Sequence, residues 1–156
     1  MNQKILVPLD GSNGSMRALD AALDLARSLH AEVLLAHVID SAKAARLSFG
    51  EPALIDGCYD ALRDDGKRIL AEALARTRLA AANVSTILAY GNPTEELERI
   101  AVQANATMIV IGSHGRTGLS RLVMGSVAEG VVRIASVPVM VVPPERHPES
   151  RERTVA

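Results

Sequence analysis

Tryptophan is absent from this 156-residue chain, phenylalanine occurs once and tyrosine twice, so aromatic residues make up 2% of it. So few rings leave no platform on which the bases of a single-stranded nucleic acid could stack. Charge offers no substitute. Seventeen lysines and arginines stand against 18 aspartates and glutamates, for a formal net charge of −1, and the basic residues are scattered. No electrostatic footprint for nucleic acid or for a membrane surface emerges. Cys58 is the only cysteine, which excludes an intramolecular disulfide and fits a reducing compartment. No apolar run approaches the ~20 residues that span a bilayer, and Met1 to Lys4 leads into a strand without a signal-peptide pattern. The expectation is a cytoplasmic protein with neither nucleic acid nor membrane as partner.

Chemical signatures are thin as well. The chain has no G-x-x-x-x-G-K-[ST] and no G-x-G-x-x-G after its first strand. His30, His37 and His147 have no ligand-like spacing, so a zinc site is not expected. Nor is there a Gly-x-Ser-x-Gly, a recognisable Ser-His-Asp order, or a carboxylate pair beside a glycine loop.

What the chain does have is aliphatic bulk: 48% of it is hydrophobic, nearly all Val, Ile, Leu and Ala. Such residues suit a buried parallel sheet under closely packed helices. Five apolar runs, Lys4 to Leu9, Glu32 to Ile39, Val84 to Tyr90, Thr107 to Ile111 and Val137 to Val142, alternate with helical patterns. Met16, Leu19, Leu23 and Ala26 mark one helix face, and Leu62, Ile69, Ala73 and Thr77 a stripe within 53–81, interrupted by Gly66. Asn92, Pro93 and Glu95 form a helix entrance ahead of Leu97, Ile100, Ala101 and Ala104; Val127, Val131 and Ile134 mark the last helix. Residues 41–57 form a long connection with no clear period until its end. The tail, 144–156, has little to bury and reads as disordered.

Strand alternating with helix implies right-handed crossovers and a single doubly wound sheet, helices on both faces. The third run alternates apolar with polar residues and belongs at an edge, which gives the order 3-2-1-4-5. In that order the chain reverses between strands one and four, and ligands bind beyond the carboxyl ends there. Asp10 follows the first of those strands and Gly112 the second.

The segment Gly112-Ser113-His114-Gly115, joined across nine residues to Gly125-Ser126, opens the last helix. Glycines at such a junction let backbone N–H groups approach a ligand, and the helix start favours negative charge. The construction suits a phosphate, or else is a glycine-rich turn. Arg116 and Arg121 lie between, near enough to reach phosphates or simply to be solvated. The spacing G-x2-G-x9-G-[ST] resembles the nucleotide signature of the universal stress protein family, in its ATP-binding branch. Lys4 to Ser12 resembles that family's first strand and adenosine loop, and Gly125 to Val142 its last helix and strand.

The resemblance implies a nucleotide-binding domain over 1–143, Rossmann-like in the manner of adenine nucleotide alpha hydrolases, with ATP as ligand and Mg²⁺ entering on its phosphates. The site residues it implies are Pro8, Leu9, Asp10, Val38, Ile111, Gly112, His114, Gly115, Gly125, Ser126 and Val127. Asp10 would read the adenosine or else serve as a turn or cap; Val38 would wall the base or else pack the core. No catalytic residue and no metal ligand of the protein's own is expected, so the chain is not read as an enzyme; a nucleotide-dependent regulator in stress response is what the resemblance implies. The alternatives are a slow ATPase or adenylate-handling phosphotransferase on this fold, and a nucleotide-free flavodoxin-like scaffold. The strand 137–142 carries no charge until Glu145, and an apolar edge needs cover. A homodimer through that strand is expected, and the resemblance implies the same.

Overall fold

A computed structural model describes residues 3–78, 83–114 and 124–144. Along the chain run β1 (Lys4–Pro8), α1 (Asn13–Leu29), β2 (Glu32–Asp40), α2 (Ser41–Leu47), α3 (Pro52–Thr77), β3 (Val84–Gly91), α4 (Pro93–Gln103), β4 (Met108–Gly112), α5 (Ser126–Ile134) and β5 (Val139–Val142). The strands pair in parallel in the order β3-β2-β1-β4-β5, as the sequence predicts. β3, the most polar run, is an edge with residues exposed along its length.

Side-chain alternation sorts the aliphatic residues into two layers. Ile5, Val7, Val33, Leu35 and Val110 pack under α1 and α3 with Leu19, Leu23 and Ile69. Leu6, Leu34, Ile109 and Ile111 pack on the other face under α4 and α5 with Leu97, Ile100 and Val131. Burial of each such side chain contributes roughly 1.5–3 kcal/mol, which is how a core without aromatic rings suffices. The two tyrosines are kept out of it. Tyr59 of α3 and Tyr90 of β3 lean on one another at the sheet edge, with ring centroids 6.3 Å apart and planes 51° apart.

Helix ends follow local chemistry. Ser12 caps α1, accepting the Ser15 N–H at 3.1 Å, and α1 stops at His30 in the left-handed region (φ 52°). Asn92 caps α4 as expected, accepting from the N–H groups of Thr94 (3.0 Å) and Glu95 (3.3 Å).

Three expectations need correction. The connection expected over 41–57 contains α2 and the first turns of α3. Asp40 nucleates α2 by accepting the N–H groups of Ala42 and Lys43, and a turn through Phe49 (φ 52°) and Gly50 (φ 79°) separates the two helices. Seven residues are too short a helix to show a period. The last strand begins at Val139, not Val137, because Pro138 contributes only its carbonyl, which accepts the Ile109 N–H at 2.9 Å. Ile134 is 45% exposed, so the buried face of α5 is carried by Ala128 and Val131. Of the tail, only Pro144 falls within the described residues.

Candidate functional site

A cavity of about 270 Å³ opens between the carboxyl ends of β1 and β4. Every site residue named from the sequence lines it, from Pro8, Leu9 and Asp10 through Val38, Ile111, Gly112 and His114 to Gly125, Ser126 and Val127, except Gly115, which lies outside the described residues together with Arg116 and Arg121.

The β1–α1 turn forms one wall. Asp10 Oδ1 accepts the Ser12 N–H at 2.9 Å, and the Asp10 N–H donates to Ser15 Oγ at 3.4 Å. Gly11 makes the turn possible with φ 80°. Asp10 is therefore a turn residue that also faces the cavity; the helix cap is Ser12.

The β4–α5 side differs from the sequence expectation in two respects. Gly112 was expected to be glycine to spare a ligand. A Cβ there would instead lie 2.6 Å from the carbonyl carbon of Gly14 and 2.7 Å from its oxygen, so the first turn of α1 is what requires it. Gly125 was expected to offer its N–H to phosphate. That N–H donates to the Ser113 carbonyl at 2.7 Å, and its backbone (φ −64°, ψ 148°) is open to any residue. The helix still has donors. The first bond within α5 runs from Glu129 N–H to the Gly125 carbonyl, so the N–H groups of Ser126, Val127 and Ala128 precede it and face the entrance of the helix. Ser113 ties this end together: its N–H donates to Val142, and its hydroxyl lies 2.9 Å from His114 Nδ1.

The third wall lies at the end of β2, where the sequence points to Val38 alone. β2 outruns β1: their register ends at Pro8↔Ala36, closed by Leu9 N–H to the Ala36 carbonyl at 2.8 Å. Beyond it, the next peptide groups on that side of β2 are the N–H and C=O of Val38, a donor and an acceptor side by side at the cavity. His37, Asp40 and Lys43 line the same wall, and Leu62 and Asp65 of α3 close it. Both oxygens of Asp40 are engaged, Oδ1 with α2 and Oδ2 with Arg46 at 3.5 Å. Asp65 accepts from Arg68 at 2.6 Å, and that hydrogen bond, with a second to Glu72, raises the guanidinium above its ordinary value. Of these residues the sequence pattern marks Val38, as a wall for the base, and Leu62, in a helical stripe; His37, Asp40, Lys43 and Asp65 carry no local signal of a place here.

Among the described residues no group of His, Cys, Asp and Glu could hold a metal ion, and no helix is long and apolar enough to cross a membrane.

The model of the universal stress protein family matches residues 1–143. Universal stress protein YxiE of Bacillus subtilis is 31% identical over 147 residues, which cover 91% of this chain and 99% of YxiE. Among solved structures, protein MJ0577 superposes with a TM-score of 0.82 at 28% identity, covering 94% of this chain and 99% of that one. A universal stress protein solved in complex with cAMP superposes with a TM-score of 0.65 at 25% identity, over 91% of this chain and 97% of that one.

Proposed function

This chain belongs to the universal stress protein family, and from that premise we propose that it binds adenine nucleotides, with ATP preferred, in the cavity between β1 and β4. One observation carries the reading: the cavity sets the Val38 peptide against the N-terminus of α5. Adenine presents an amino donor beside a ring-nitrogen acceptor, which matches the Val38 C=O and N–H. Guanine presents the reverse pair along that edge and is disfavoured. The N–H groups of Ser126, Val127 and Ala128 then meet phosphate, with the helix dipole behind them. Asp10, in the β1–α1 turn, serves the adenosine end, since a carboxylate beside a triphosphate would be repelled. That a relative was solved in complex with cAMP supports an adenine ligand.

In this reading residues 1–143 are one nucleotide-binding unit, Mg²⁺ enters on the nucleotide's own phosphates, and the output is nucleotide-dependent regulation in a cytoplasmic setting. Turnover is slow or nil, because Asp40 is spent on helix α2 and Asp10 stands at the adenosine end, away from the phosphates. The unit is a homodimer through β5, whose outward N–H and C=O groups belong to Val139 and Val141, since Pro138 and Val142 face β4.

Titration calorimetry with ATP, adenosine and GTP, with mass spectrometry of ligand released from the purified protein, tests the reading. ATP and adenosine are expected to bind and GTP to bind far more weakly. Equal affinity for GTP, or no binding of ATP and adenosine, would refute it.

A further inference from the structure

In a parallel ladder, the N–H and C=O of one residue bond to two residues of the neighbouring strand that lie two positions apart. With Leu9 N–H on the Ala36 carbonyl, the following rung would bring the Val38 N–H to the Leu9 carbonyl. That rung is missing. The Leu9 carbonyl is bonded to His37 Nδ1 at 2.7 Å, and because a carbonyl only accepts, Nδ1 carries the proton. The imidazole is held in place from behind by α3, whose approach depends on Gly66: a Cβ at that position would lie 2.6 Å from His37 Cδ2.

We propose that His37 is a positioning residue of the cavity: it supplies the Leu9 carbonyl with a donor in place of the Val38 N–H, and so keeps the Val38 peptide open to a ligand. The same bond pins the turn that carries Asp10, since Leu9 is then tied to β2 through both its N–H and its C=O. The proposal rests on the reading of this cavity as an adenine-nucleotide site, but its structural half is independent of any ligand. Without the imidazole the Leu9 carbonyl, at the end of a buried strand, must find another donor. The nearest in register is the Val38 N–H, and the ladder would zip one rung further, closing the base wall.

The test is amide hydrogen exchange at Val38 in the ligand-free protein, measured beside adenosine affinity. His37→Leu keeps the bulk and removes the donor. Exchange at Val38 should slow by about ten-fold or more as the new rung forms, and adenosine affinity should fall roughly ten-fold. His37→Asn carries an amide N–H at the place of Nδ1 and should return both quantities to within about three-fold of wild type. Should the Leu variant be insoluble, His37→Gln, whose amide sits one carbon too far, replaces it. Unchanged exchange at Val38 in the donor-less variant overturns the proposal, and so does an Asn variant as impaired as the Leu one. Loss of affinity without slower exchange also overturns it, because packing alone would then explain the loss. If wild-type protein binds no adenosine, the nucleotide reading fails, and the exchange measurement alone decides the role of His37.

Discussion

Gly112→Ala separates two reasons for a glycine at the mouth of a binding cavity. If the glycine serves only a ligand, the ligand-free protein should tolerate a methyl group. The structure predicts otherwise. The new Cβ would meet Gly14 at 2.6 and 2.7 Å and the Ser15 nitrogen at 3.1 Å, where real Cβ atoms essentially never come under 3.0 Å. All three obstructing atoms are backbone, in the capped first turn of α1, so no rotamer change relieves the clash. The helix must lift from β4 or the strand must bend. Overpacking of this kind costs about 1–3 kcal/mol, and with backbone on both sides we expect the upper half of that range. In a domain of this size each kcal/mol moves Tm by about 2–4 °C, so a loss of about 2–3 kcal/mol lowers it by about 4–12 °C. Gly57→Ala is the internal control: nothing lies within 4 Å of its Cβ position, midway in the outer half of α3. It should gain roughly 0.5–1 kcal/mol from helix propensity alone. Differential scanning calorimetry without nucleotide measures both. A Gly112→Ala protein that unfolds within about 1 °C of wild type yet has lost ATP binding would refute the packing argument and return the glycine to the ligand.

Other substitutions probe the remaining walls. Asp10→Ala should weaken ATP and adenosine alike, by about 1–2 kcal/mol in titration calorimetry; a loss confined to ATP would contradict a role at the adenosine end. Asn92→Ala removes the acceptor shared by Thr94 and Glu95 and should cost about 1 kcal/mol in urea unfolding, with no change in nucleotide affinity. Val141→Pro deletes an N–H on the free side of β5 while sparing the bonds to β4, so sedimentation should show monomers where wild type gives dimers. A variant that stays dimeric would place the interface elsewhere.

The strand order was legible because one physical variable, the polarity of β3, sorts edge from centre. The α4 entrance was legible because Asn, Pro and Glu each act within one turn. Features made by distant segments left no such mark. The need for glycine at 112 arises from residue 14, and at 66 from His37 and Leu88, contacts that no local pattern announces. His37 itself looked like a histidine without partners, since its acceptor is a backbone carbonyl 28 positions away. Lys43 and Asp65 joined the cavity through α2 and α3, and α2 was hidden by its brevity. Gly112 and Gly125 both line the cavity, yet what holds them in this structure is the fold: α1 backbone stands where a Cβ at 112 would go, and the Gly125 N–H is bonded to the Ser113 carbonyl.

The tyrosine pair at the β3 edge sets what light can report about this molecule. With no tryptophan anywhere, near-ultraviolet absorbance, fluorescence and circular dichroism come almost wholly from Tyr59 and Tyr90, two rings in contact at one corner. That corner is the seam between α3 and β3; α5 and β5 stand at the opposite side of the sheet. A signal from these rings therefore registers loosening of that seam and is blind to events at the far edge. Subunits could join or part along β5 with the intrinsic spectrum unchanged, and a flat optical titration would carry no information about association. A single tryptophan in place of the exposed Met140 would move the reporter to where the event occurs.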